Sequence, residues 1–213
     1  MTGLLDGPRG VRVVAVLPTA GDSYLLGWGR AAVEGGIGLL AVPVGAANLL
    51  DLVSELADET ANRARVGVSG VLSGEDVSRA VAAGAAFVLI PVCDPDLVKA
   101  ARGRGLVVVC GAASPTEIVR ARTHDADLVA VFPASALGGP AFFRDVAPVL
   151  ATVPLGAWGG VDVESAPAYF EAGATAVVVD RGLFPAHEEP EAAEVIRRRA
   201  AALIEVCADC AAS

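Results

Sequence analysis

The chain has 213 residues, 54% of them hydrophobic and 5% aromatic, with a mean hydropathy of +0.57; this supplies one large core and excludes a disordered chain. Its net charge of −9 and scattered basic residues, fifteen arginines and one lysine, argue against a nucleic-acid partner, because that affinity rests on many phosphate neutralisations. The charge-free runs Gly35–Leu50, Leu128–Phe143 and Val146–Val161 are each broken by proline or a Gly-Gly-Pro turn, short of the roughly 18 unbroken apolar residues of a membrane span.

Asp6 and Arg9 precede the first apolar stretch and Arg12 interrupts it, which leaves no signal-peptide core and predicts a cytoplasmic protein without a membrane partner. That stretch, Val11–Leu17, opens a series of short apolar runs. Leu39–Val44, Val66–Val68, Phe87–Ile90, Leu106–Val109, Leu128–Phe132, Pro154–Ala157 and Ala176–Val179 follow, each separated from the next by a segment of helical periodicity. The runs are apolar on both faces, as parallel strands are when helices cover one side and a packed interior the other. Helix starts are legible at Ser73 with Asp76, at Asp94-Pro95, and at Ser114-Pro115-Thr116-Glu117. Helix ends are legible at Gly35-Gly36, Gly84 and Gly173. Eight βα units at near-constant spacing predict an α/β fold, a (β/α)8 TIM barrel occupying residues 1–213 as one domain. A doubly wound sheet would want a glycine fingerprint after its first strand, and Pro18-Thr19-Ala20-Gly21-Asp22 is not one.

A barrel places function at the carboxyl ends of its strands. Those ends read Pro18-Thr19, Pro43-Val44-Gly45, Ser69-Gly70, Pro91-Val92-Cys93, Cys110-Gly111, Phe132-Pro133-Ala134-Ser135, Trp158-Gly159-Gly160 and Asp180-Arg181-Gly182. The segments Val66–Leu72, Ala82–Pro91, Val131–Ser135 and Trp158–Val161 resemble the KHG/KDPG aldolase family of 2-keto-3-deoxy-6-phosphogluconate and 4-hydroxy-2-oxoglutarate lyases. The similarity runs in order from about Val11 to Ala186, and its most specific piece is the Phe132-Pro133-Ala134 turn. The resemblance implies a compact barrel, usually a trimer, that works through a pyruvyl Schiff base.

The family's chemical groups are replaced in this chain. The resemblance puts the Schiff-base lysine at Ala130, the acid/base carboxylate at Ala41, the carboxylate-binding arginine at Gly45, and two threonines at Gly70 and Trp158. Its Gly-Gly-Ser phosphate turn reads Asp180-Arg181-Gly182. Lys99 is predicted on the solvent side of a helix starting at Pro95, away from its apolar stripe.

Few other groups compete for a role. Cys207-x-x-Cys210 has metal-motif spacing, but Cys207 continues the stripe of Ile196, Ala200 and Leu203, and no second pair completes a tetrahedral site, so no metal or other cofactor is expected. His124 and His187 fall away from the strand ends, and Arg197–Arg199 is expected to pair with Glu191, Glu194 and Glu205. Cys93 and Cys110 fall nearer the mouth but lack a histidine. Ser69, Asp162 and Asp180 remain as weak catalytic candidates.

Gly159, Gly160 and Arg181 are the candidate anion site, since barrels commonly hold phosphate on backbone N–H groups after strands 7 and 8. Successive strand residues face opposite sides, so only one of Asp180 and Arg181 points inward: Arg181, the favoured of the two, would hold an anion, whereas Asp180 would abolish the anion site and favour neutral or cationic ligands. The expected function is a barrel degenerate for Schiff-base cleavage that binds a small anionic sugar acid or phosphorylated ligand. A lyase or isomerase of altered chemistry and a structural subunit beside an active paralogue stay open.

Overall fold

In a computed structural model, residues 12–19, 22–60, 63–185 and 191–211 are described. Eight strands alternate with eight helices: β1 (Val13–Val16), α1 (Asp22–Glu34), β2 (Leu39–Pro43), α2 (Leu49–Thr60), β3 (Arg65–Ser69), α3 (Gly74–Ala82), β4 (Phe87–Ile90) and α4 (Pro95–Arg102) form the first half. β5 (Val107–Ala112), α5 (Pro115–Thr123), β6 (Leu128–Val131), α6 (Pro140–Val146), β7 (Leu155–Trp158), α7 (Ala166–Glu171), β8 (Ala176–Val179) and α8 (Ala192–Ala211) form the second. Every strand pairs in parallel with its sequence neighbours and β8 closes on β1, the expected (β/α)8 barrel.

The local signals act as their chemistry requires. Ser73 accepts the Asp76 N–H at the start of α3, and Asp94 accepts those of Asp96 and Leu97 at the start of α4. Ser114 and Glu117 form a reciprocal capping box on α5, which satisfies backbone donors that the first turn leaves orphaned. Gly36, Gly84 and Gly173 have φ of +104°, +75° and +98°, the left-handed endings expected where the chain leaves a helix for the next strand.

Alternation along each strand sorts the buried residues into two layers. One set, including Ala15, Leu40, Val68, Val88, Val131 and Val179, packs outward under the helices. The other, including Val14, Leu39, Ala41, Leu89, Val109, Ala130, Trp158 and Val178, fills the barrel. Both layers are apolar, which is why the strands show no polar alternation. β5 runs further than predicted, through Cys110 and Gly111 to Ala112, so Cys110 is a strand residue of the outward layer and does not line the mouth. At the opposite end, Asp127 accepts the Val108 N–H at 2.9 Å and the Arg102 guanidinium, tying α4 to the β5 and β6 entries.

Candidate functional site

The carboxyl ends of the strands enclose a cavity of about 430 Å³, lined by Val16, Leu17, Pro18, Thr19, Pro43, Val44, Gly45, Ser69, Gly70, Pro91, Phe132, Trp158 and Asp180. Strand geometry selects these side chains. Phe132 is the next inward position above Ala130 on the β6 side, and Asp180 is the next inward position above Val178 on the β8 side. The inward member of the Asp180-Arg181 pair is therefore Asp180, and the expectation for Arg181 is corrected: Arg181 is not among the residues lining the cavity.

Asp180 turns toward the loop after β7, where its Oδ1 accepts the Gly160 N–H at 3.2 Å. Burial pushes its carboxyl up; the Gly160 N–H and then Arg181 pull it back down. A backbone donor that the sequence assigned to a bound anion thus already has an anion, from the protein itself. The two glycines serve packing as well. Gly159 and Gly160 have φ of +91° and +73°, and a Cβ on Gly160 would stand 2.1 Å from the Ser135 Oγ, one on Gly159 2.9 Å from the Pro133 Cα. The loops are laced together there, with Ala134 N–H donating to the Trp158 carbonyl at 2.7 Å and Ser135 N–H to the Gly159 carbonyl at 3.1 Å.

Phe132 and Trp158 meet as a tilted pair, ring centroids 4.5 Å apart. Sequence reasoning read Trp158 only as a replaced threonine and missed this aromatic wall; the shared inward register of β6 and β7 was the signal. Ser69 lines the cavity and is 5% exposed. Asp162 does not line the cavity. Its Oδ1 accepts the Ser165 N–H at 2.7 Å and the Ser165 hydroxyl at 2.6 Å, and Ser165 Oγ accepts the Asp162 N–H in return. These bonds, the Ser165 hydroxyl foremost, hold the Asp162 carboxyl below its ordinary value and fix the entry to α7.

Ala130 points into the barrel, fully buried, with Gly111 and Gly156 beside it in register, and Ala41 is likewise buried in the inner cluster. Lys99 is exposed on α4. Cys93 is half-buried in a groove with Arg120 and His124, its thiol near that of Cys110. Cys207 is buried in the core; the Cys210 side chain and His187 lie outside the described residues. Arg197 pairs with Glu194, as expected, and also with Glu34 of α1, a partner no local spacing could reveal. No group of three or more metal-type ligands occurs among the described residues, and no described helix is long and apolar enough to cross a membrane. Among the described residues lining the mouth there is one ionisable side chain, Asp180, and no amine, imidazole or thiol. The arrangement can take a proton or hold a donor at a carboxylate, and it offers no nitrogen nucleophile.

The chain matches the family description "KDPG and KHG aldolase" over residues 8–198. It is 30% identical over 169 residues to a 2-dehydro-3-deoxy-phosphogluconate aldolase of Treponema pallidum (strain Nichols), covering 79% of this chain and 80% of that one. The native KDPGal structure superposes with a TM-score of 0.86 at 22% identity, over 95% of this chain and 97% of that one. A KDPG aldolase from Legionella pneumophila, with pyruvate captured at low pH as a covalent carbinolamine, superposes with a TM-score of 0.76 at 21% identity, over 98% and 97%. The barrel, its strand-end sequences and these relationships agree that the chain belongs to the KDPG and KHG aldolase family.

Proposed function

We propose that this family member binds a small molecule in its mouth and does not break carbon–carbon bonds through a pyruvyl imine. Ala130 carries the reading. A carbinolamine such as the one captured in the Legionella protein forms on an amine, and the family resemblance assigns that amine to a position where this chain has a buried methyl group. An imine supplies the electron sink for cleavage, and a lysine serves only when it is desolvated beside the substrate. Lys99, the chain's one lysine, is exposed on the outer ring of helices.

The 2-dehydro-3-deoxy-phosphogluconate cleavage of the curated relative is accordingly not carried over to this chain. Nor is a phosphate at Gly159, Gly160 and Arg181 part of the reading, because Asp180 Oδ1 sits on the Gly160 N–H and would repel it. A cytoplasmic location and a homo-oligomer, a trimer by family resemblance, complete the proposal. Borohydride reduction in the presence of pyruvate, followed by peptide mass mapping, tests it: no pyruvyl addition at Lys99 is expected. A reduced adduct on Lys99, or sustained pyruvate release from 2-dehydro-3-deoxy-6-phosphogluconate, would sink the reading.

A further inference from the structure

We propose that the mouth is a binding site for a small organic cation, an ammonium carried on an apolar body, with Asp180 as its counter-charge and the Phe132–Trp158 pair as its wall. The inference rests on the reading of the mouth as a binding site without imine chemistry, and it follows the branch that an inward Asp180 opens, made specific in ligand and partners.

Three features converge. The first is charge: Asp180, exposed at the rim, is the one ionisable side chain among the described cavity-lining residues, and a cleft carrying one sign of charge concentrates the opposite sign. The net charge of −9 acts in the same direction. Arg181 lies close enough to act on Asp180, but it is not among the residues lining the cavity.

The second is hydrogen-bonding capacity. Asp180 Oδ1 takes the Gly160 N–H, and a carboxylate has sites for further donors on its other oxygen. A bound ammonium would make a charge-assisted bond there, of the stronger class.

The third is the wall. Trp158 pairs in register with Val178, and Asp180 follows two residues later, just past the end of β8, so ring and carboxylate line the same cavity from adjacent strand ends. A cation held by the carboxylate shares the cavity with these rings, and an aromatic face attracts a cation within roughly 6 Å. The remaining lining is mostly apolar, with Val16, Leu17, Pro43 and Pro91, and suits the ligand's body, while Thr19 and Ser69 add two hydroxyls. The volume of about 430 Å³ is that of a small-molecule site.

Titration calorimetry at low ionic strength with benzylammonium, benzyl alcohol, benzoate and inorganic phosphate, on the wild-type chain and on Asp180→Asn, tests the assignment. Benzylammonium should bind the wild type at least about tenfold more tightly than benzyl alcohol, the factor expected of one charge-assisted contact. Benzoate and phosphate should bind more weakly than the alcohol. In Asp180→Asn the ammonium preference should vanish while the melting temperature does not fall, because the asparagine Oδ1 still accepts the Gly160 N–H. A purely structural Asp180 would leave the preference intact. Equal affinity for ammonium and alcohol, tighter binding of either anion, a preference that survives in Asp180→Asn, or no ammonium binding at millimolar concentration overturns the proposal; the wild-type comparison decides even if the variant fails to fold. Should the borohydride assay find an imine, the underlying reading fails; should it find none while cation selectivity is absent, this proposal alone fails.

Discussion

Gly160→Ala separates the two roles open to the glycine pair, anion cradle and internal packing. At φ +73° an L-residue pays about 1 kcal/mol, and the new Cβ would meet the Ser135 Oγ at 2.1 Å and the Ser135 Cβ at 2.9 Å. The hydroxyl contact is the severer of the two and moving the hydroxyl aside still leaves the Cβ contact, so overpacking adds about 1–2 kcal/mol, with the hydroxyl carrying the larger share. The sum, about 2–3 kcal/mol, corresponds to a fall in Tm of about 4–12 °C in a chain of this length. Thermal and urea unfolding of four chains provide the measurement: wild type, Gly160→Ala, Ser135→Ala and the double variant. Removing the Ser135 hydroxyl should return about 1 kcal/mol of the loss, the coupling expected of residues in direct contact. Gly159→Ala is the control, because its Cβ meets the Pro133 Cα at 2.9 Å, a backbone atom that Ser135→Ala cannot move. A Gly160→Ala stability within about 0.5 kcal/mol of wild type, or equal rescue of both glycine variants, would refute the packing argument.

Two further outcomes follow from burial and charge. Burial raises both thiols, Cys110 to about 12 and Cys93 in the same direction, so iodoacetamide at neutral pH should label slowly, the half-buried Cys93 ahead of Cys110, and faster as pH rises; labelling of Cys110 as fast as Cys93 would contradict the structure. Asp162 and Asp180 should respond to pH with opposite signs. The lowered Asp162 carboxyl contributes stability that is present above the ordinary aspartate value and lost as pH falls through its folded value. Asp162→Asn should therefore destabilise at neutral pH and converge with wild type in acid. The raised Asp180 carboxyl favours its protonated form, so stability declines as pH rises through its folded value, and Asp180→Asn should gain at neutral pH and lose that gain in acid. Urea midpoints across pH check both, and a common sign would refute one assignment.

The fold was legible because its signals are local. Apolar runs, the Ser73, Asp94 and Ser114 caps and the closing glycines each act within a few residues, and their repetition at steady spacing leaves one architecture. The site was harder to read. In β8 the residues Ala176, Val177, Val178 and Val179 are all buried, so nothing in their chemistry marks which face is inward, and the count that places Asp180 rather than Arg181 in the mouth has no anchor in the sequence. The glycine pair misled for a related reason, since a Gly-Gly turn signals close approach without saying whether a ligand or a neighbouring loop does the approaching. Ser135 and Pro133 are that neighbour. Arg197 found Glu34 across the α1–α8 contact, 163 positions away in the chain, where helical spacing has no reach.

Depth within the barrel links the replaced family positions to the proposed ligand. Ala41 and Ala130 lie in the inner cluster, each 0% exposed, and neither lines the mouth. The next inward positions on the same strands are Pro43 and Phe132, which do line it, and Trp158 leans on Phe132 from β7. A molecule in the mouth therefore meets proline, the two aromatic rings and Asp180, with the alanine layer closed beneath them. A lysine at position 130 would start from this buried layer and extend its amine toward the mouth, and desolvation of that kind lowers a lysine's pKa. What the mouth recognises is accordingly decided one layer higher, by the single carboxylate and the rings beside it.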